Sequence, residues 1–597
     1  MSWNERPTVE LNSGVTPEAL ANEFKLPLWI AGLLHSRMKN WLDTSLDAAR
    51  RFMQPSLKNL PDPFALLDMD RAAERVVTAI CENEPIAIYG DYDVDGTVGS
   101  AVLMRFFRML GVDVTVYQPD RQREGYGVNA NAVRMLAENG ARLLITVDCG
   151  ITAVTEVDIA NSLGLDVIVC DHHEQKDVLP DAYAVLDHKR KDYSGPINVL
   201  CGAGVAFYLA LAVRSMLRDI DYFSHEGAGK KEPDLRALLD LVAVATVADM
   251  VPLVEENRVL VTYGLEKLRK SPTLGLAELF REAGVKQEDI STYHIGFVIG
   301  PRINASGRLA SASAALELLT TDDPMRARAL ASELGGMNKE RMELQAHVAD
   351  AAILQAAEQL EKYGADLAAF VLAGEDWHEG VIGIAASRVV ERYHRPVVII
   401  TFATHTGNGK GSIRGLGKLD MLQALEGSAE LLLGFGGHKV AAGLSLERKN
   451  LESFRERFAA QVREQLNVLL ENGVDALARK VEIDAKLDLP TLLSTLDLNT
   501  VKIIDKLAPF GIGNPEPVLS AEGFRIEESR TMKEKHLKLQ LEADGNFVSA
   551  FWANGVERFE SSLEENEVEL AFSPTINTFR NQNNVEFRVK DIRALSH

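Results

Sequence analysis

The sequence predicts an α/β protein of several domains, in which a parallel-sheet domain is joined by a long helix to a smaller α/β domain, followed by a small β-barrel. Three observations carry this. Short apolar runs at Pro85–Tyr89, Val112–Tyr117, Arg142–Val147, Asp166–Cys170 and Ala182–Leu186 alternate with helical segments, the rhythm of strands that pair in parallel through crossover helices. From Pro324 to Tyr363 the apolar positions keep helical spacing with no proline after the start. From about residue 475 the pattern becomes short alternating segments, such as His536–Glu542 and Phe547–Trp552, with turns at Asp544-Gly545 and Asn554-Gly555.

In chain order, residues 1–75 read as a helical N-terminal extension, apolar from Pro27 and turn-rich at Asn59–Pro63, without recognisable chemistry. Residues 76–320 form the parallel-sheet domain and 321–365 the connector helix. Residues 366–470 form the second α/β domain, with strands at Leu367–Leu372 and Val397–Phe402 around the helical Val381–Tyr393. Two glycine-rich turns, Gly407–Gly417 and Gly434–Gly443, and a polar helix at Leu451–Glu471 complete it. Residues 475–597 are the barrel.

The 597 residues carry 64 Lys+Arg against 86 Asp+Glu, a net charge of −22, which excludes a basic, histone-like coat. It does not exclude nucleic acid, because metal ions held by clustered carboxylates attract phosphate on an acidic protein. Four cysteines without CxxC spacing read as reduced core thiols, and the charged N-terminus and short apolar runs read as a soluble cytoplasmic protein.

The chemistry is concentrated where the apolar runs end. Gly90-Asp91-Tyr92-Asp93-Val94-Asp95-Gly96 follows the first run and packs three carboxylates into five residues, an arrangement that a hard cation stabilises. A calcium EF-hand loop begins similarly, but its twelfth position, a bidentate Glu, is Val102 here, and the segment follows a strand rather than a helix. The next runs end in Asp148-Cys149-Gly150 and Asp171-His172-His173, so three strand ends deliver acids or histidines to one rim. A fourth apolar run, from Leu241, ends in Asp249, which needs a cation or donor to offset its burial. Oxygen ligands with one or two imidazoles suit Mn²⁺ or Mg²⁺ better than zinc, and two such ions suit phosphoester hydrolysis.

These motifs in this order resemble the signature of the DHH phosphoesterase superfamily, and within it the RecJ branch of single-strand-specific exonucleases. Further matches are Cys201–Val205, Val247–Pro252, Gly300–Arg308, Trp377–Ile384, Gly411–Gly415 and Gly436–Gly443, so the resemblance runs from about residue 60 to the end. It implies a DHH domain, a DHHA1-type domain and an OB-fold-like nucleic-acid-binding barrel. It implies two Mn²⁺ or Mg²⁺ ions on Asp91, Asp93, Asp95, Asp148, His172 and Asp249, with Asp148 bridging and His173 donating to a phosphate oxygen. It implies 5′→3′ digestion of single-stranded DNA to nucleoside 5′-monophosphates in repair and recombination. The implied partners are a single-stranded-DNA-binding protein and a RecQ-type helicase, with the enzyme itself a monomer.

For substrate binding, Ser412 and Arg414 in a glycine-rich loop, with Gly437 and His438 on the same wall, suit a terminal 5′ phosphate, or the loop is only a tight turn. Arg302, Asn304 and Arg308 in a loop, with Arg121, suit phosphate clamping or else form structural ion pairs. On the barrel, His536 and Lys538 face outward while Leu537, Leu539 and Leu541 face inward, and Phe551 or Trp552 either stacks on bases or packs in the core. Residues 479–597 hold 15 Lys+Arg against 20 Asp+Glu, so strand binding there calls for a narrow basic track. The alternative enzymatic reading is a DHH phosphodiesterase acting on short oligonucleotides, cyclic dinucleotides or pyrophosphate, for which a strand-binding barrel has no use. A catalytically dead scaffold is disfavoured by the completeness of the ligand set.

Overall fold

The computed structural model describes residues 2–6, 11–39, 41, 43–121, 124–223, 231–309, 312–364, 366–404, 407–559, 563, 566–579 and 582–595. The chain divides into two compact units, one of residues 3–307, 311–332 and 481–597 and the other chiefly of residues 333–480.

In the larger unit, five parallel strands form the first sheet: β1 (Ile86–Gly90), β2 (Val114–Tyr117), β3 (Leu143–Val147), β4 (Asp166–Cys170) and β5 (Ala184–Leu186), in spatial order β2-β1-β3-β4-β5. β1 and β3 are buried at every residue, as expected of runs rich in Ile, Leu and Val that are covered by helices on both faces. The register pairs Ile88 with Ile145, Ile145 with Ile168 and Ile168 with Ala184. Helix α1 (Val94–Met109) starts from the β1 end, and α2 (Leu239–Ala248) is apolar apart from Asp240 and Thr246 and fully enclosed up to Thr246. Helix α3 (Gly300–Leu309) follows a π-helical turn at Ile295–Ile299. The segment read as a loop around Arg302 is therefore helical, with Pro301 directly after the π turn, where the regular hydrogen-bond ladder is already interrupted.

The same unit contains the barrel, built from β11 (Leu519–Met532), β12 (His536–Ala543), β13 (Asn546–Trp552), β14 (Val568–Phe579) and β15 (Gln582–Ala594). Its order β11-β12-β13-β15-β14 closes through a β11–β14 pairing, the connectivity of an OB fold. Inward Leu537, Leu539 and Leu541 are at most 4% exposed, and Trp552 lies in the core rather than on a binding face. The N-terminal helices, including Leu28–Met38, share this core through Leu33, Leu34, Trp41 and Phe52. Arg37 on that helix is buried and donates to Asn514 and to the Pro515 carbonyl, with Asp484 3.8 Å away. The opening residues thus form part of the barrel's support.

Helix α4 (Pro324–Tyr363) is continuous over 40 residues, as its sequence predicts. In the smaller unit a five-stranded sheet is built from β6 (Phe370–Glu375), β7 (Val397–Phe402), β8 (Asn408–Arg414), β9 (Gly434–His438) and β10 (Ala441–Glu447), ordered β9-β10-β8-β7-β6. Helices α5 (Glu379–Tyr393) and α6 (Leu451–Glu471) cover it. Both glycine-rich segments read as turns contain paired strands: Ser412 and Arg414 lie on β8, and Gly437 and His438 on β9. No helix among the described residues is long and apolar enough to cross a membrane, and the four cysteines are unpaired, three of them buried.

Candidate metal centre

Backbone pairing continues one residue past each strand and sets the acids in a row. The amide of Asp91 donates to Val147 O (3.1 Å), that of Asp148 to Cys170 O (2.9 Å) and that of Asp171 to Leu186 O (3.1 Å). Each carboxylate is thereby placed beside its neighbour at the carboxyl edge of the sheet, where open α/β folds bind ligands. Asp148 has φ +62°, a left-handed conformation that a non-glycine residue adopts at a cost and that recurs at functional sites.

Helix termini hold the next acids. Asp93 caps α1, its Oδ1 accepting from the amides of Asp95 (2.9 Å) and Gly96 (3.3 Å). The fully buried Asp95 carboxylate accepts from the amides of Gly202 (2.6 Å) and Ala203 (2.9 Å), the first turn of helix Gly202–Asp219, whose positive end favours its charge. Gly202 must be glycine: a Cβ there would stand 2.8 Å from Asp148 Cα. Asp249 arrives at the C-terminal cap of α2.

These groups crowd around shared points. His172 Nε2 lies 3.1 Å from Asp148 Oδ1, 3.5 Å from Asp249 Oδ2 and 3.6 Å from Asp95 Oδ2. Three sets, Asp91/Asp93/Asp148, Asp95/His172/Asp249 and Asp148/His172/His173, each bring their ligand atoms within 4.8 Å of one another. Burial, then the charge of Asp93, pushes Asp91 up to about 8. Burial, then Asp95 and Asp93, pushes Asp249 up to about 9. Asp148 is also pushed well up, by burial and then Asp95, and burial raises Asp95 despite the opposing charge of His172. The His172 imidazole is held neutral, chiefly by burial.

Asp91 Oδ1, His172 Nδ1 and Asp249 Oδ2 are buried and have no hydrogen-bond partner. Unsatisfied acceptors among mutually repelling carboxylates, around an imidazole kept neutral, fit a pair of divalent cations.

Two residues that sequence reasoning left outside the site belong to its surroundings. Asp171 accepts from the amides of Ile151 and His172 and from His173 Nδ1 (2.8 Å). Burial alone would raise Asp171, but the hydrogen bond and charge of His173 outweigh it and hold the acid low; reciprocally, Asp171 overrides the effect of burial on His173 and raises it. Tyr126 Oη lies 3.1 Å from His173 Nδ1 and donates to Asp148 O at 3.4 Å. The Gly125-Tyr126-Gly127 triplet was the available signal for it.

The proposed phosphate contacts divide. Asn304 Oδ1 accepts from the Val94 amide (3.0 Å), bracing the Asp93–Asp95 segment. Arg302 pairs with Glu282 (2.9 Å) and donates to Val298 O, the ion-pair alternative left open above. Arg121 lies over the Tyr92 ring at 5.3 Å.

In the smaller unit, Arg308 donates to Gly380 O (3.0 Å). Arg414 donates to Ser412 Oγ at 3.0 Å, and cross-strand pairing aligns Ser412 with Gly443 and Gly436, and Arg414 with Ala441 and His438. Ser412, Arg414 and the Gly436–His438 edge thus form one patch of sheet.

On the barrel, register aligns Arg530, Lys538, Phe551 and Arg588 across four strands. None of the four is buried, and the His536 ring lies 5.6 Å from Phe551. Lys538 pairs with Glu586 and Arg588 with Glu516.

Comparison with known proteins follows the same divisions. The "DHH family, N-terminal domain" matches residues 85–246, the "DHHA1 domain" residues 365–464 and the "RecJ OB domain" residues 483–591. The single-stranded-DNA-specific exonuclease RecJ of Bacillus subtilis is 34% identical over 96% of this chain and 69% of its own length, and that of Escherichia coli is 35% identical over 90% and 92%. The chain belongs to the RecJ family. Among solved RecJ structures, that of Thermus thermophilus in complex with Mn²⁺ superposes with a TM-score of 0.79 at 29% identity, covering all of this chain and 80% of the other. The Mg²⁺ complex of the same RecJ gives 0.73 at 28%, covering 79% of that chain. RecJ membership accounts for the α/β fold, the DHH and DHHA1 domains and the terminal OB barrel together.

Proposed function

We propose that the chain is a metal-dependent exonuclease that degrades single-stranded DNA from its 5′ end to nucleoside 5′-monophosphates. The observation that carries this is the convergence of Asp91, Asp95, Asp148, His172 and Asp249, three of which keep a buried polar atom without a partner, in a RecJ-family chain that contains an OB barrel.

Asp91, Asp93, Asp95, Asp148, His172 and Asp249 would hold two divalent ions, Mn²⁺ or Mg²⁺, which would supply charge to neutralise the scissile phosphate and to lower the pKa of the attacking water. Asp148 and His172 each belong to two of the three clusters, and Asp148, whose carboxylate has two oxygens to offer, is the group we assign as shared. His172, neutral, offers a lone pair rather than a proton. His173, kept basic and oriented by Asp171, donates its other ring N–H to a phosphate oxygen. Ser412 and Arg414, with Gly437 and His438, hold the terminal 5′ phosphate, which supports digestion from that end. Arg121 and Arg308 contact the following phosphates, while Arg302 and Asn304 act by holding α3 and the Asp93–Asp95 segment in place. The barrel row of Arg530, Lys538, Phe551 and Arg588 supports strand binding by an otherwise acidic domain. We assign the enzyme to repair and recombination in the cytoplasm, as a monomer working with a single-stranded-DNA-binding protein and a RecQ-type helicase.

The test is digestion of long single-stranded DNA labelled at one end, beside its duplex, an RNA copy and pyrophosphate, with Asp148→Ala as control. Mononucleotides released from the 5′ end of the single strand alone, and lost in Asp148→Ala, uphold the proposal. Activity confined to dinucleotides or pyrophosphate overturns it.

A further inference from the structure

Asp249 differs from the other acids of the centre. It sits at the C-terminal end of a helix, whereas Asp91 and Asp148 follow strands and Asp93 and Asp95 lie at a helix start, and its side chain is 21% exposed, against 3% for Asp148 and none for Asp95. The chain after it is conformationally unusual, with Met250 at φ +62° and Glu255 at φ +43°. Locally, Asn257 Nδ2 donates to Pro252 O at 3.0 Å, and a second contact is distant in sequence. The contact comes from the loop that leads into the barrel, Phe510-Gly511-Ile512-Gly513-Asn514.

The amide of Leu253 donates to Ile512 O at 2.7 Å, a main-chain bond between segments some 260 residues apart. A Cβ on Gly511 would stand 2.7 Å from Leu253 Cδ1, and one on Gly513 would stand 3.0 Å from Pro252 Cβ. Gly513 also has φ +74°. The two glycines therefore let the loop lie flat against Pro252 and Leu253. Its own shape is fixed by Gly511 and Asn514 pairing main chain to main chain, and by the buried Asn514 side chain, which donates to Leu507 O (2.8 Å) and Pro509 O (2.9 Å) and accepts from Arg37 Nε (3.0 Å). Thr292, at the start of the turn that leads to α3, donates to Phe510 O at 2.8 Å.

We infer that the Gly511–Asn514 loop is a positioning element of the metal centre, which sets Asp249 for cation binding through Pro252 and Leu253. Amides hold Asp93 and Asp95 at their helix start, whereas a helix C-terminus offers Asp249 no such donors, and outer supports set metal affinity. The inference rests on Asp249 being a ligand.

The test is direct binding of Mn²⁺ to the full-length protein, read as free Mn²⁺ by electron paramagnetic resonance, with no DNA present. Gly513→Ala is compared with Gly545→Ala, which has a similar φ of +78° in a barrel turn but open space where its Cβ would go. Gly513→Ala is expected to weaken binding at one of the two sites about tenfold or more, with Gly545→Ala leaving both sites intact. Gly511→Ala, which presses on Leu253 without a left-handed φ, serves if Gly513→Ala does not fold, and is expected to weaken the same site. Unchanged Mn²⁺ binding in the folded glycine variants would overturn the inference. Asp249→Asn separates the premises: if it too leaves binding unchanged, Asp249 is no ligand, whereas if it alone weakens binding, only the role of the loop fails.

Discussion

The Gly202 amide donates to the Asp95 carboxylate at 2.6 Å across a separation of 107 residues, so the N-terminus of one helix holds the buried carboxylate near the start of another. The same glycine leaves room for Asp148 alongside. Gly202→Ala is expected to push Asp148 out of line and lower exonuclease activity by roughly 10²-fold, about 2.7 kcal/mol in the barrier, while single-strand binding is retained. Parallel digestion and binding assays check it.

Asp148→Asn is expected to abolish turnover, by roughly 10³-fold or more. In chelator it is expected to raise the melting temperature, because it removes one of several buried like charges that repel one another without cations. With saturating Mn²⁺ the order reverses, since the wild type gains more from the ions. Calorimetry with and without metal reads both effects.

The pH dependence follows from the carboxyl groups whose folded-state pKa is raised. Asp91 at about 8 and Asp249 at about 9 bind protons more tightly folded than unfolded. Their contribution to stability is full below the unfolded carboxylate range near 4 and is lost as pH rises through 8 to 9. The metal-free protein should therefore melt at progressively lower temperature from pH 5 to pH 9. Added Mn²⁺ should flatten the slope, and its apparent affinity should rise with pH as protons are displaced.

Arg530→Ala with Arg588→Ala, at the two ends of the barrel row, is expected to weaken single-strand binding. It should reduce the slope of log affinity against log salt by about 1.4, at roughly 0.7 per phosphate contact. Phe551→Ala is expected to weaken binding with the slope unchanged, because stacking releases no counterions. Titrations at several salt concentrations separate the two.

Much of this was legible in the sequence because it is local. The strands of the first sheet read as apolar runs, and Asp91, Asp148 and His172 follow them at once. The Gly300–Leu309 helix was not legible, because Gly, Pro, Asn and Ser mark turns in most settings. Here the proline follows a π turn within a longer helical run, and Gly307 allows approach to the Tyr92 carbonyl, where a Cβ would stand 2.7 Å away. Ser412 and Arg414 read as a loop for the same reason, although Gly409 and Gly411 only make room for Phe402 and Leu444 beside the strand. The tie between Asn304 and Val94, and that between Arg37 and Asn514, join segments hundreds of residues apart. No local pattern announces them.

The stitching of Asp91, Asp148 and Asp171 to the neighbouring strands has a consequence for the life of the molecule in a cell. A slip of one residue in strand register would turn these side chains to the wrong face and leave no blade. The last acid, Asp249, is synthesised long after the first, and the loop that bears on Pro252 and Leu253 comes some 260 residues later still. The acids of the sheet thus emerge from the ribosome well before Asp249 and the loop, and the full set of acids is assembled only once all these segments have folded together.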